Sequence, residues 1–496
     1  MPAHSATGAF APSTSPNTSV PETLESLATK EIPESNQPAP VDHVVTDDAA
    51  NTEPSAPTTD AAPTPDEAPV GRRFTLPNSL NALAHKHFRV YVLSLFVGSM
   101  GVWIQRIAQD WLILQLTGSV SAVGVAVALQ FAPVLLFGLY GGILTDRYDP
   151  RRLLAISQGT SAALALVLGI AVLTGHATPL ACYGLALGLG LVSVIDQPAR
   201  LALISQLVGV GGVRSALGLN TTAFQSAGLL GPMASGVLIG SVGIGWCFLI
   251  NAVTCTSVAL ATTLMGRRTL TPRVEGVAKK GPIAELREGL TVIARTSEVA
   301  WAIGLVAILG VFGMNMPVLL SAFSSKEFTA GVSGYSTFQA VVAVGSVVGA
   351  TVASRRVGTI RLRNITPTLT GLGVLLVLTS RAPSYLMFLA VLALVGVVSI
   401  VFSQSANALV QTTVPDHLRG RVMSVYVLVL LGGQAIGGVT IGAVIDHFGP
   451  RAGMLLNGAV IILLTSVCAA VMAHRSALRL RVTRGKHVPH LQIVHR

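Results

Sequence analysis

The sequence predicts an all-α integral membrane protein with twelve transmembrane helices in two six-helix halves. Hydrophobic residues make up 51% of the 496-residue chain and charged residues only 11%, which is about half the charged share of a soluble domain. From Phe88 onward there are twelve apolar segments, each close to the ~20 residues that a helix needs to cross a membrane. Lys and Arg fall mostly in alternate links between these segments, the pattern of basic cytoplasmic loops.

The predicted spans are numbered 1 to 12 in chain order. With the N-terminus in the cytoplasm, 28 of the 32 Lys and Arg residues from Arg72 onward lie on the cytoplasmic side. We therefore expect both termini to be cytoplasmic and the protein to cross the inner or plasma membrane many times. The net charge of +11 follows from this bias, so we expect no nucleic-acid partner. The predicted spans are 88–113, 120–145, 152–174, 178–198, 216–240, 244–265, 299–322, 334–354, 364–381, 384–408, 422–444 and 451–473.

Five regions are predicted along the chain. The first is rich in Pro, Ala, Ser, Thr and Glu, so it is expected to be disordered, as a plain solvated tail or a partner-binding one. The linker between spans 6 and 7 contains apolar residues at helical spacing, which predicts an amphipathic helix on the cytoplasmic surface. The regions are a disordered tail (1–71), an N-terminal six-helix bundle (72–265), a cytoplasmic linker (266–298), a C-terminal six-helix bundle (299–475) and a basic tail (476–496).

The two bundles are expected to be repeats in the same orientation. An offset of 206 residues aligns Gly231 with Gly437 and Asn251 with Asn457. Because six spans is an even number, the second bundle enters the membrane from the same side as the first, and the repeats are related by an axis along the membrane normal.

A short charged loop separates spans 2 and 3. It contains Gly142, Asp146 and Arg147, followed by Arg151 and Arg152. The Arg residues alone would fix the membrane orientation, but that role does not require a carboxylate. We therefore expect a charge cluster in which Asp146 faces the positive N-terminus of a neighbouring helix such as span 11. Such a cluster would act as a cytoplasmic gate; the alternative is a signal for topology alone.

With twelve spans, a central cytoplasmic loop and this charged motif, the chain resembles the major facilitator superfamily over residues 88–475. The Asp149-Pro150 pair shifts the basic pair by one place relative to the superfamily pattern. A finer resemblance, to the macrolide and siderophore (enterobactin) exporter branch of drug:proton antiporters, is carried by Trp103–Leu112, Asp196–Arg200 and Arg419–Val422. The resemblance implies the major facilitator fold and secondary transport by alternating access, but it names no substrate.

Charged residues also mark the cytoplasmic ends of spans 4 and 11. Asp196 and Arg200 lie one turn apart where span 4 ends, and Arg419 and Arg421 precede span 11 at the equivalent place in the second half. Both sets are interpreted either as cytoplasmic gate residues or as topology signals.

Arg106 and Asp110 form a candidate proton-coupling pair in span 1. Their spacing of four residues places them on one helical face, and an ionisable group inside a membrane indicates a functional site. Asp110 is expected to bind and release a proton, with Arg106 pairing to its charged form. The alternative is that Asp110 lies near the outer membrane surface and is simply solvated.

Span 5 contains small residues around a proline. Gly228, Gly231, Pro232 and Gly236 permit a bend and a close helix crossing. The stretch resembles the Gly-Pro motif of drug–proton antiporters, which implies an export-type helix packing; the alternative is a close crossing without that role.

Uncharged amides are the candidate lining of a substrate cavity. Each is alternatively a structural hydrogen bond between helices. The scarcity of charge in the spans favours a hydrophobic or amphipathic substrate. The candidates are Gln105, Gln109, Gln225, Asn315, Gln339, Gln404 and Asn407.

The sequence thus predicts a proton-coupled exporter of a small hydrophobic or amphipathic molecule, drug-like or siderophore-like. A metabolite importer or facilitator and a non-transporting membrane scaffold or sensor remain as alternatives. The expected partners are the small-molecule substrate, protons and the lipid bilayer, and the protein is expected to be a monomer. No metal site, cofactor or enzymatic activity is expected, because the four cysteines lack metal-ligand spacing and no nucleotide-binding loop is present.

Overall fold

A computed structural model describes residues 86–265, 281–355, 361–475, 478–484 and 489–495. The predicted tail 1–71 and the predicted linker up to residue 280 lie outside the described residues. In the described part, twelve helical segments are long and apolar enough to cross a membrane. This confirms the twelve predicted spans.

The spans keep their predicted numbers, with shifts at their ends. Span 4 continues to Val208 rather than ending at residue 198, and span 7 contains two π-helical turns, Leu309–Gly313 and Phe323–Glu327. The spans are His87–Thr117, Val120–Gly138, Pro150–Leu173, Pro179–Val208, Ser215–Ser241, Ile244–Leu264, Ser297–Glu327, Gly331–Ser354, Leu362–Ser380, Tyr385–Thr413, Asp416–Phe448 and Pro450–His474.

The described residues contain thirteen α-helices. Helix α4 holds spans 4 and 5, α6 lies between spans 6 and 7, and α7 with α8 forms span 7. The helices are α1 (Lys86–Thr117), α2 (Val120–Arg147), α3 (Pro150–Leu173), α4 (Pro179–Ser241), α5 (Ile244–Leu264), α6 (Pro282–Arg295), α7 (Ser297–Ile308), α8 (Met316–Ala322), α9 (Gly331–Ser354), α10 (Leu362–Ser380), α11 (Tyr385–Thr413), α12 (Asp416–Phe448) and α13 (Pro450–Arg475).

Two short strands follow the last helix. Strand β1 (Leu478–Arg484) pairs antiparallel with β2 (Pro489–His495), and Leu478 lies opposite His495. They fall in the region that the sequence marks only as a basic tail, so this pair is an addition to the predicted all-α fold.

Local sequence explains where several helices begin. The Ser119 hydroxyl accepts a hydrogen bond from the Ala122 N–H and caps span 2. Asp149 caps span 3 by accepting from the Arg151 N–H at 3.0 Å, and Pro150 occupies the first turn. Both residue types are favoured at these positions. The Asp149-Pro150 pair, which departs from the superfamily pattern, is therefore the start signal of span 3.

Spans 4 and 5 run in opposite directions although the backbone of α4 is helical throughout. Phe88, at the start of span 1, belongs to one apolar cluster with Leu203 and Leu207 from the end of span 4. The same cluster contains Ala216 from the start of span 5. Span 4 therefore ends, and span 5 begins, on the same side of the molecule.

The first six spans pack on one another, the last six do likewise, and the two halves meet mainly along two helix pairs. Span 2 lies against span 11, where a methyl group at Gly124 would overlap the carbonyl oxygen of Gly438. Span 5 lies against span 8, where one at Gly236 would stand 2.8 Å from Cβ of Ser336. Glycines at these crossings let the backbones approach closely. This is the predicted architecture of two six-helix halves.

Helix α6 lies beside the start of span 11. Glu288 forms an ion pair with Arg421, and Gly289 lets the backbone of α6 approach the Arg421 carbonyl group. On its apolar face, Ile293 is buried in the main core, whereas Leu290 is 48% exposed. Helix α6 is therefore attached to the second half, on the side of the molecule that carries the charged loop after span 2. We call this side the basic face.

Candidate functional site

A cavity of about 350 Å³ lies among the first six spans. Its wall combines apolar side chains such as Leu189 and Phe224 with the charged residues Arg106, Asp196 and Arg200. Pockets of this composition hold small molecules that have an apolar body and a few polar groups. The amides that line it are Gln105, Gln109, Gln130, Gln158, Gln197, Asn220 and Asn251.

Arg106 meets aromatic rings at this cavity. Its guanidinium carbon lies 5.2 Å from the ring centroid of Phe131 and 5.8 Å from that of Trp103, within the range of cation–π attraction. Among the described residues, Arg106 has no ion-pair or hydrogen-bond partner. The two side chains of the candidate pair, Arg106 and Asp110, therefore form no direct ion pair in this structure.

Asp110 is buried at the boundary between the two halves. It is 4% exposed and accepts a hydrogen bond of 2.8 Å from the Tyr335 hydroxyl of span 8. The Gln339 amide lies 3.4 Å from the same hydroxyl, and the Trp111 ring stacks on the Tyr335 ring with centroids 6.2 Å apart. The hydrogen-bond partner of this carboxylate thus comes from the opposite half.

Asp196 and Arg200 line the cavity rather than the surface. They form an ion pair at 2.7 Å, and Asp196 also accepts hydrogen bonds from Ser157 at 2.9 Å and Gln158 at 2.7 Å. A buried ion pair needs such additional partners to offset the loss of solvation. The pair therefore joins spans 3 and 4 and contributes no net charge to the cavity.

A cleft of about 710 Å³ opens between the halves at the basic face. Gly142, Asp146 and Arg147 line it from the end of span 2, and Gly420 and Ser424 line it from the start of span 11. The structure thus places the charged loop beside span 11, with α6 as the third wall.

The other candidate gate residues at this face have local contacts. Arg151 pairs with Asp149 at 3.0 Å and donates to the Met265 carbonyl group, which ties span 3 to the end of span 6. Arg419 pairs with Asp416 at 2.5 Å. The two remaining candidates lie at the same face. Arg152 is exposed, and Arg421 pairs with Glu288.

At the opposite face, Asp446 near the end of span 11 holds the start of span 2. It accepts hydrogen bonds from the Ser119 hydroxyl at 2.6 Å and from the N–H groups of Val120 at 3.0 Å and Ser121 at 2.8 Å. Lys326 of span 7 forms an ion pair with it at 2.9 Å. A carboxylate at a helix N-terminus is stabilised by the free N–H groups and the helix dipole. We call these five residues the Asp446 latch.

The candidate glycines of span 5 contact two different neighbouring helices, spans 1 and 8. Gly228 and Gly231 face the Trp103 ring of span 1, and Gly236 faces Ser336 of span 8. Pro232 lies inside the helix. The glycines therefore serve close crossings both within the first half and between the halves.

The candidate amides lie in different surroundings. Gln105 and Gln109 line the cavity, and Gln105 accepts a hydrogen bond of 2.6 Å from Asn251. The other five are not among the described residues that line it: Asn315 bonds to the Val311 carbonyl of its own span, Gln339 to Tyr335 and Asn407 to Gln411, while Gln225 is partly buried and Gln404 exposed.

Sequence reasoning missed Tyr335 and Asp446. Tyr335 stands one helical turn before Gln339, a spacing that places both on one face of span 8. Asp446 lies near the end of span 11, where the sequence alone suggests a carboxylate exposed to water. Neither position indicates which helix it meets across the boundary.

No group of three or more His, Cys, Asp or Glu side chains in the described ranges could hold a metal ion. Cys182, Cys247, Cys255 and Cys468 are free thiols.

Twelve spans in two halves, with a polar cavity and a cleft between the halves, define a secondary transporter of the major facilitator type. Residues 78–490 match the family described as "Transmembrane secretion effector". The chain belongs to this family and is a multi-pass membrane protein.

Similar proteins support this class. The enterobactin exporter EntS of Salmonella typhi is 23% identical over 378 residues, covering 75% of this chain and 89% of the exporter. EntS of Escherichia coli O1:K1 / APEC is 24% identical over 377 residues, with the same coverage. Among solved structures, an inward-facing bacterial homologue of the human lysosomal transporter Spinster matches with a TM-score of 0.63 and 15% identity, covering 79% of this chain and 97% of that one. A D-xylose–proton symporter matches with a TM-score of 0.58 and 13% identity, covering 77% and 97%.

Proposed function

We propose that the protein is a proton-coupled exporter of a small amphipathic molecule that works by alternating access. The N-terminal bundle 72–265 and the C-terminal bundle 299–475 would rock against each other, joined by the linker 266–298. The basic face is the cytoplasmic face in this proposal, because basic loops are retained in the cytoplasm. Both termini would then be cytoplasmic and the membrane the inner or plasma membrane.

The observation that carries proton coupling is the hydrogen bond between Asp110 and Tyr335. It joins span 1 to span 8, so it must be rearranged when the halves separate. A hydrogen bond to a charged carboxylate is stronger than one to a neutral acid. Protonation of Asp110 would therefore weaken a contact between the halves and so favour their separation.

Alternating access is supported by the difference in separation between the two ends of the span 2–span 11 pair. At the basic face a cleft separates them, and at the opposite face the Asp446 latch joins them. The cavity and the cleft share the lining residues Ser193 and Gln197, so the cavity would have a route to the basic face. In the reverse state, the contacts of Asp446 would open and the charged loop containing Asp146 and Arg147 would close on span 11.

Export is supported by the similarity to enterobactin exporters, which share about a quarter of their residues with this chain. The cavity combines apolar walls with amides, the Asp196–Arg200 ion pair and Arg106, which favours an amphipathic substrate over a purely apolar one. A metabolite importer remains the outcome to be excluded by experiment.

Proteoliposomes with an imposed pH gradient test the coupling. We expect substrate movement driven by the gradient in the parent protein and a loss of the gradient response of about tenfold or more in Asp110→Asn, in line with loss of a proton-transfer group. Glu298→Gln is the matched control, because that side chain is exposed and lies outside the candidate gate. The proposed coupling is refuted if transport does not depend on the pH gradient, or if the Asp110→Asn variant is as active as the parent. Gradient-driven movement in the import direction would refute export.

A further inference from the structure

We infer that the cavity among the first six spans binds a small amphipathic organic anion, with Arg106 as its counter-charge. This inference rests on the proposed transport function and names the substrate class. The described residues that line the cavity carry two guanidinium groups and one carboxylate. Since Asp196 and Arg200 neutralise each other at 2.7 Å, the net charge of the lining is that of Arg106.

The environment of Arg106 leaves its charge available to a ligand. An ionised group inside a membrane is costly unless it is paired or lines a hydrated cavity. The Phe131 and Trp103 rings attract the cation but do not neutralise it. Asp110, one turn further along span 1, lies within electrostatic range of Arg106, but it is buried against Tyr335, forms no direct ion pair with the guanidinium group and is not among the described lining residues. The planar guanidinium fork matches two oxygens of a carboxylate, sulfonate or phosphate.

The rest of the cavity fits the remainder of such a molecule. Leu95, Leu189, Phe224 and Val258 offer apolar walls for a hydrocarbon or aryl body. The Asn220 side-chain oxygen lines the cavity and, among the described residues, has no hydrogen-bond donor. A buried acceptor without a partner is unfavourable, so a hydroxyl or amine on the ligand would satisfy it. An anion with an apolar body and a hydrogen-bond donor meets each of these features.

A pair of matched probes isolates the charge. Naphthalene-2-sulfonate is anionic at all working pH values, and 2-(methylsulfonyl)naphthalene has nearly the same shape without the charge; neither molecule has a hydrogen-bond donor. Binding of each to the purified full-length protein is measured by isothermal titration calorimetry. We expect the sulfonate to bind about tenfold tighter or more, as for one hydrogen bond between charged groups. The preference should vanish in Arg106→Gln and persist in part in Arg106→Lys.

Two controls separate this inference from the proposed coupling. Arg381→Gln removes an exposed Arg at the opposite face and should keep the preference for the sulfonate. Asp110→Asn removes a negative charge near Arg106, so it should keep or strengthen the preference, even though it loses the response to a pH gradient. If transport does not depend on the pH gradient but the parent protein still prefers the sulfonate, the proposed proton coupling is refuted and the inference about Arg106 stands.

The inference is overturned if the parent protein binds both probes equally, or if folded Arg106→Gln retains the preference. Should Arg106→Gln not yield folded protein, the parent comparison and Arg106→Lys decide. A preference of the parent for the sulfonate that persists in part in Arg106→Lys supports a charge role, and binding of both probes at equal strength by the parent excludes it.

Discussion

Asp110 and Tyr335 show how one residue pair links the chemistry of a carboxylate to the boundary between two helix bundles. The Tyr335 ring is fully buried and its hydroxyl donates to Asp110 at 2.8 Å. Inside a membrane, a polar group must find its partner within the protein. Here the partner comes from the opposite half, so any loss of this bond changes both the state of the carboxylate and the contact between bundles.

Tyr335→Phe tests this pair at the residue scale. The change keeps the ring that stacks on Trp111 and removes only the donor. We expect a stability loss of about 1–2 kcal/mol, between the average for interhelical bonds in membranes and the value for charged partners, together with a weaker response of transport to the pH gradient. Thermal unfolding in detergent and the proteoliposome assay measure the two effects.

Tyr426→Phe is the matched control for this change, because the Tyr426 hydroxyl makes a hydrogen bond of only 3.4 Å to the Ser403 carbonyl within the second half. It should leave the gradient response unchanged. If both variants behave alike, the role of Tyr335 in coupling is refuted.

At the scale of elements, spans 2 and 11 are the pair on which alternating access would depend. They touch along the membrane interior through Gly124 and Gly438, they are joined at the opposite face by Asp446, and they are separated by the cleft at the basic face. Glycines let the two backbones approach closely at this crossing. The helices can therefore tilt about it, so that their ends differ in separation while their middles stay in contact.

Asp446→Asn tests the latch. The change removes the negative charge that holds Lys326 and the N-terminus of span 2, so we expect the opposite face to open. Spin labels at His176→Cys, in the first half, and Pro383→Cys, in the second, report the separation at that face by double electron–electron resonance in a background without the native cysteines. The distance distribution should shift to longer values.

Glu327→Gln is the control for the latch. Glu327 lies at the same face, but its partner Arg451, at 2.5 Å, belongs to the same half. This variant should leave the distance distribution as in the parent; an equal shift in both variants would show that the effect is general loosening and not release of the latch.

The Gly124 crossing gives a second prediction for this helix pair. Gly124→Val would place a side chain against the Gly438 carbonyl oxygen and force spans 2 and 11 apart. Overpacking of this kind costs about 1–3 kcal/mol, so we expect a lower unfolding temperature in detergent and impaired transport. Gly184→Ala serves as the control, since nothing lies within 4 Å of the added carbon. A Gly124→Val protein with the unfolding temperature and transport rate of the parent would contradict the close crossing of spans 2 and 11.

At the scale of the whole molecule, the distribution of charge assigns the faces. The basic face carries the loop after span 2, α6 and the start of span 11. The cavity lies among the first six spans, whereas the cleft is formed by both halves. A substrate entering by the cleft would therefore reach a cavity built by the first bundle, and the second bundle would control access to it.

Fusions report the orientation of the whole molecule. A green fluorescent protein fused after residue 496 should fluoresce, because it folds in the cytoplasm, and an alkaline phosphatase fused after His176, in the link between spans 3 and 4, should be active outside. The reverse pattern would invert the proposed orientation and, with it, the assignment of the basic face. Swapping the two reporters between the sites is the control.

The class of this protein and the number of its spans follow from local features of the sequence. Apolar segments of membrane length, basic residues in alternate links and the motif from Gly142 to Arg152 are local features, and each follows from the cost of placing polar groups in lipid. The start of span 3 at Asp149-Pro150 is equally local. The residues Arg106 and Asp110 were found because charge within a span is rare, which identifies a position but not its neighbours.

The tertiary structure alone decided which residues meet. Asp110 is bonded to Tyr335 rather than to Arg106, Asp196 and Arg200 lie in the cavity rather than at the surface, and Asp446 holds span 2 across the boundary of the halves. The Asp110–Tyr335 and Asp446–Ser119 contacts join residues 225 and 327 positions apart. They depend on how far each helix is rotated and shifted against its neighbour, and in lipid that rotation is set by close packing of small residues rather than by the hydrophobic pattern that a sequence displays.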